Sequence, residues 1–219
     1  MSARDESFAR LRKADWTANP QIASGNDATC KFQTFENGNG TFVYDDYNVV
    51  ITRMPADLTA EAYLLEFARD PNAAVNHGLF NVINVFTKRT KTDPQIGDIY
   101  DIDIIGPDNG SIVLVALSAN FGKAHGDSWF DIQTVSCEKY GTHPESGARE
   151  FGFEYVSEGV RYYTRGVSSP NNTVVGLVGA GPQMLGWTAM MKGISESIKR
   201  RGGTPKDNSF MMTKEKKTS

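Results

Sequence analysis

The chain has 219 residues, an apolar content of 39% and a formal charge of −3. That composition supplies a core of ordinary size without staples. The acidic balance excludes a general binder of nucleic-acid phosphates, which needs a surplus of clustered Lys and Arg. No stretch approaches the roughly eighteen apolar residues of a membrane span. The N-terminal segment MSARDESFARLRKADW carries charges where a signal peptide needs an apolar run. The expected location is therefore cytoplasmic, with no stable membrane insertion.

Residues 1–27 are polar and weakly periodic, and read as an N-terminal arm with one short helix from Glu6 to Lys13. Cys30 to Phe35 and Thr41 to Tyr44 then read as strands flanking Asn37-Gly38-Asn39-Gly40, a hairpin signal because Asn and Gly tolerate the positive φ of tight turns. Tyr47 to Met54 is a further strand, ended by Pro55. Thr59 is a plausible N-cap, and Ala60, Tyr63, Leu64 and Phe67 follow at helical spacing until Asp70-Pro71 stops them. Asn72 to Phe86 has mixed periodicity and reads as a helical start turning into a strand.

From Gly97 the alternation is clear, with Tyr100, Ile102 and Ile104 on one face of a strand and Asp101 and Asp103 on an exposed one. Pro107-Asp108-Asn109-Gly110 marks a turn, and Ile112 to Leu117 returns as a strand buried on both faces. Trp129 to Cys137 is the next strand, followed by Arg149 to Val156 and Val160 to Val167 joined through Ser157-Glu158-Gly159. A long helix from Pro182 to Arg200 carries Trp187, Met190, Met191, Ile194 and Ile198 on one wide stripe, and Gly202-Gly203 stops it. Residues 203–219 read as a disordered polar tail. The two cysteines, Cys30 and Cys137, form neither a CxxC pair nor a zinc pattern and are expected as buried thiols.

Several arrangements imitate chemistry without supporting it. His77, His125 and His143 fall in separate segments, whereas a metal needs converging ligands, so no metal is expected. His125-Gly126-Asp127-Ser128 holds the residue types of a triad, but neighbours in one loop do not readily face one another, and no GxSxG elbow exists. Gly176, Gly179 and Gly181 lack the third glycine and the βαβ unit of a dinucleotide site, so no cofactor is expected. On the hairpin of 149–167, Phe151, Phe153 and Tyr155 share one face and Glu154 the other. Were the aromatic face concave, Glu154 would be a surface charge paired with Arg161 or Arg165. Were the other face concave, it would be a candidate acid or base. Period alone does not choose.

The run from Thr142-His143-Pro144-Glu145-Ser146-Gly147 through Glu150-Phe151-Gly152-Phe153-Glu154 and Gly159 to Pro170, followed by a terminal helix, resembles the C-terminal half of domains of the START and polyketide-cyclase (SRPBCC) superfamily. The resemblance implies an α+β helix-grip fold over residues 28–202. In that fold a curved antiparallel sheet of about seven strands closes over the long C-terminal helix, with a cavity for a lipid- or polyketide-like molecule between them. It transfers no catalytic residue. The expected ligand-binding residues are Phe151, Phe153, Tyr155, Tyr163, Arg165, Trp187 and Met191, and the expected partner is a small hydrophobic molecule. Alternatives are an enzyme of the cyclase or dehydratase type and a non-catalytic protein-interaction module.

Overall fold

The computed structural model describes residues 2–13, 29–104, 109–123, 126–171 and 180–218. Its elements are α1 (Ala3–Lys13), β1 (Lys31–Phe32), β2 (Thr41–Arg53), α2 (Ala60–Arg69), α3 (Pro71–Val75), α4 (Gly78–Ile83), β3 (Asn84–Lys88), β4 (Ile99–Ile104), β5 (Gly110–Leu117), β6 (Ser128–Ser136), β7 (Glu145–Val156), β8 (Gly159–Pro170), α5 (Ala180–Arg200), β9 (Thr204–Pro205) and β10 (Met211–Thr218). The strands form one curved antiparallel sheet in the order β10-β2-β8-β7-β6-β5-β4-β3, with β1 on β6 and β9 on β2. With the long helix α5 held against it, this is a helix-grip fold of the α+β class.

The core lies between the sheet and its helices. Tyr47, Val49, Ile51, Phe130, Ile132, Phe151, Phe153 and Tyr162 point from alternate strand positions toward Trp187, Met190, Met191, Ile194 and Ile198 of α5. Helices α2 to α4 close one side. Thr59 caps α2 by accepting a hydrogen bond from Ala62 N at 3.1 Å. Asp70 ends that helix and caps the next, its carboxylate accepting from Ala73 N at 3.0 Å, with Pro71 at the first position. The mixed periodicity of 72–86 resolves into α3, α4 and the start of β3, as the sequence predicts.

Four expectations are corrected. First, the Asn37 to Gly40 segment is not a hairpin. Residues 35–37 form a single 3-10 turn, with Asn37 Oδ1 accepting from Thr34 N at 2.9 Å, and β1 pairs with β6 rather than with β2. Second, that pairing sets Lys31 opposite Ser136, so the next residues, Cys30 and Cys137, stand across from each other and form a disulfide instead of two thiols. Third, the tail is not disordered: β10 runs beside β2 from Met211 opposite Asn48 to Thr218 opposite Thr41, which adds an edge strand. Fourth, Asp101 is buried rather than exposed, because Arg89, Ser111 and Lys139 bond to its carboxylate. Those bonds hold the carboxyl below the usual range despite its burial.

Candidate functional site

Which face of the β7–β8 hairpin looks inward is decided by register. Phe151 and Phe153 lie opposite Thr164 and Tyr162, on the side of α5, while Glu150, Gly152 and Glu154 lie on the convex side opposite Arg165, Tyr163 and Arg161. Glu154 accordingly accepts from Arg161 Nη1 at 3.0 Å and Arg165 Nη2 at 3.1 Å.

This register also distributes the seven expected ligand residues. Phe151, Phe153, Trp187 and Met191 face the grip, but most of that interior is filled. Phe151 sits 5.4 Å from Phe67, 5.2 Å from Phe130 and 5.8 Å from Trp187 between ring centroids. The voids beside Phe151 hold about 10 Å³ each, room for one water. Phe153 and Met191 are fully buried. Tyr155 is half exposed at the far end of β7 and donates to Glu61 Oε1 at 2.8 Å. Tyr163 and Arg165 stand on the convex face, the guanidinium 3.6 Å from the phenol ring centroid.

A roomier cavity of about 60 Å³ opens at one end of the grip, between β4–β8 and the start of α5. One side is apolar, made by Ile102, Ile112, Ile132 and the Trp187 ring, and the other presents Thr134, His143, Glu145, Gln183 and Arg149. The arrangement at Arg149 follows from three residues abreast in the sheet, since Asp45 and Arg149 both pair with Gly166 on the central strand. A Cβ at 166 would collide with the Arg149 guanidinium and approach Asp45 Oδ1 to 2.8 Å. Glycine lets the arginine lie flat across the strand. Its Nη2 donates to Asp45 Oδ1 at 2.6 Å and its Nη1 to Thr164 Oγ1 at 3.2 Å, and its Cζ stands 4.3 Å from the Trp187 ring centroid.

Burial pushes the Asp45 carboxyl up, and the Arg149 charge opposes that push. The pair enters the dry interior as a neutral unit with one cationic surface stacked on indole. His143 is fixed beside it: its Nδ1 accepts from Glu145 N at 3.2 Å, and a side chain at Gly110 would strike its ring. Gln183 Nε2 donates to Glu145 Oε2 at 2.9 Å, which ties the first turn of α5 to β7.

The convex face carries a second polar assembly, under α1. Ser7 donates to Glu150 Oε1 at 2.8 Å, Arg10 Nε donates to Asp131 Oδ2 at 3.1 Å and also pairs with Glu150, and Arg165 Nε donates to Asp46 Oδ2 at 2.8 Å. Phe8 and Leu11 anchor the helix on Phe42, Ala148 and Val167. Burial raises Asp131 to about 6 against the opposing pull of Arg10.

Of the expected residues only Trp187 lines the larger cavity. Asp45, His143, Glu145 and Arg149 were not singled out by the sequence reading as a site. A signal exists in Gly166, a glycine between Arg165 and Val167 in the interior of β8, which implies close approach by something across its face. His125, Gly176 and Gly179 lie outside the described residues. Among the described residues no group of His, Cys, Asp and Glu has metal-binding geometry. No helix there is long and apolar enough to cross a membrane.

No family model matches the chain, and no curated protein matches it. Solved structures similar to it include a hypothetical protein from Helicobacter pylori, 11% identical, with a TM-score of 0.48 over 72% of this chain and 87% of that one. The di-domain aromatase/cyclase StfQ of the steffimycin biosynthetic pathway is 16% identical, with a TM-score of 0.45 over 76% of this chain and 54% of that one. Norcoclaurine synthase from Thalictrum flavum is 11% identical, with a TM-score of 0.42 over 76% of this chain and 94% of that one.

Proposed function

We propose that the protein binds a small, mainly hydrophobic molecule at the open end of the grip, with an apolar part against Ile102, Ile112, Ile132 and Trp187 and an oxygen acceptor toward Arg149. The observation that carries this reading is a buried arginine, stacked on Trp187, at the wall of a cavity of about 60 Å³ that is otherwise half apolar. A neutralised guanidinium retains N–H donors beyond those given to Asp45 and Thr164. It therefore favours a carbonyl or weakly anionic oxygen over a bare hydrocarbon.

Octanoate and phenylacetate test the proposal, titrated into the full chain while indole fluorescence is followed. A saturable change is expected that disappears in Trp187→Phe. Thr134→Phe, which fills the cavity from its rim, should weaken binding about tenfold or more. Absence of any saturable response, or a response indifferent to Thr134→Phe, would refute the site. A second reading is favoured by His143 and Glu145 lining the same cavity: proton transfer on the bound molecule, as in a cyclase or dehydratase. It requires turnover that His143→Gln abolishes while leaving affinity unchanged.

A further inference from the structure

Trp187 lines the cavity at the open end of the grip and is 8% exposed. Its indole Nε1–H is buried and meets no acceptor among the described residues. An indole nitrogen donates and does not accept, so only a lone pair brought beside it satisfies it. The ring's own contacts supply none. The Arg149 Cζ stands 4.3 Å from the ring centroid, and the Phe151 and Phe86 ring centroids stand 5.8 and 6.5 Å away. All three are contacts of the π system, which hold the ring in place without offering an acceptor.

Three tyrosines of the same core show how a buried donor of this kind is ordinarily satisfied. Tyr63, Tyr100 and Tyr162 donate to the main-chain oxygens of Ala74, Ala68 and Ala60 at 3.2, 2.6 and 3.2 Å. On the cavity wall beside Trp187 the acceptors are engaged by other donors. Glu145 Oε2 accepts from Gln183 Nε2, His143 Nδ1 accepts from Glu145 N, and Thr134 Oγ1 accepts from Gly147 N at 3.0 Å. A buried donor left unpaired carries a desolvation penalty, and a ligand oxygen placed beside it removes that penalty on binding. The surrounding charge selects the kind of oxygen. Asp45 and Glu145 are set against Arg149 and Lys214, so a carboxylate entering this end finds no surplus of positive charge to offset its lost hydration. An uncharged acceptor loses less hydration.

We infer that Trp187 selects the ligand of the grip cavity by donating its indole N–H to an uncharged acceptor oxygen, such as that of a ketone. This rests on the binding reading above and narrows it. Acetophenone and ethylbenzene test it, because they differ by little more than a carbonyl in place of a methylene. Each is titrated into the full chain while the indole N–H resonances are followed by proton NMR. The Trp187 signal is assigned by its loss in Trp187→Phe, or by elimination through Trp16→Phe and Trp129→Phe. Acetophenone should move that signal downfield and bind about tenfold more tightly than ethylbenzene, and Trp187→Phe should erase the preference. Phenylacetate should bind more weakly than acetophenone. Equal affinity for ketone and hydrocarbon, both weakened by Thr134→Phe, would leave the cavity as a binding site and overturn the role of Trp187. Tighter binding of phenylacetate than of acetophenone would overturn the choice of an uncharged oxygen. Failure of every probe to bind would overturn both readings together.

Discussion

Asp131 is the residue whose environment departs most usefully from its sequence context. It sits on the convex face of β6, fully buried beneath α1, with Arg10 as its cation and the Glu150–Arg165 pair nearby. Burial raises its carboxyl from 3.8 to about 6. A folded-state value above the unfolded one means that folding takes up a proton between those values. The contribution of this group to stability is thus greatest below about 4 and is lost as pH rises through about 6, a swing of up to about 3 kcal/mol. Urea unfolding at pH 4.5 and pH 7 should show this difference between the parent chain and Asp131→Asn: the variant lacks the penalty at pH 7 and should have the flatter profile. Identical pH dependence in the two chains would mean that Arg10 holds Asp131 ionised throughout.

Among the elements, β10 shows where sequence patterning and structure part. The Thr59 cap is legible from its residue type just ahead of the helical spacing, whereas Asp70 reads only as part of the stop at Asp70-Pro71 and its capping bond emerges from the structure. Alternating aromatics on β7 and the α5 stripe are legible because each records burial of one face, and burial leaves a period. Strand β10 leaves none. It pairs on one side only, so its polar residues Lys214, Glu215, Lys216 and Lys217 satisfy an edge strand as well as they would a loose tail. Its specific contacts, Arg4 with Glu215 at 3.6 Å and Lys217 4.8 Å from the Tyr44 ring centroid, depend on tertiary neighbours. The Arg149 site was obscure for a related reason: Asp45, Gly166 and Arg149 come from three strands and meet only through register. Lysines on an edge also guard against pairing with other chains. Truncation after Phe210 should therefore expose the β2 edge from Thr41 to Asn48 and promote self-association, seen as a concentration-dependent rise in mass by light scattering. A monodisperse truncated monomer would show that β10 has no such protective role.

Across the whole molecule, the Cys30–Cys137 bond joins the segment leading from α1 to the far side of β6 and closes a span of 107 residues. The span encloses β2, the helices α2 to α4 and strands β3 to β6, so the cross-link constrains roughly half of the unfolded chain. Loops of that size are associated with a stabilisation of about 4–5 kcal/mol in the chain-entropy picture, and native disulfides measure about 2–5 kcal/mol. Bonds of this type persist in oxidising compartments and are rare in the cytosol, which weighs against the cytoplasmic location expected from the N-terminal segment. The grip core does not run through the bond, since the cysteines belong to a small convex-face cluster with Phe32, Val113, Val115 and Val135. Reduction should thus lower the urea midpoint by an amount worth about 2–5 kcal/mol while leaving the near-ultraviolet signature of the aromatic core intact. Alkylation of the denatured, unreduced protein should find no thiol. Two reactive thiols, or a midpoint indifferent to reductant, would show that β1 is held to β6 by its backbone pairing and the surrounding apolar contacts alone.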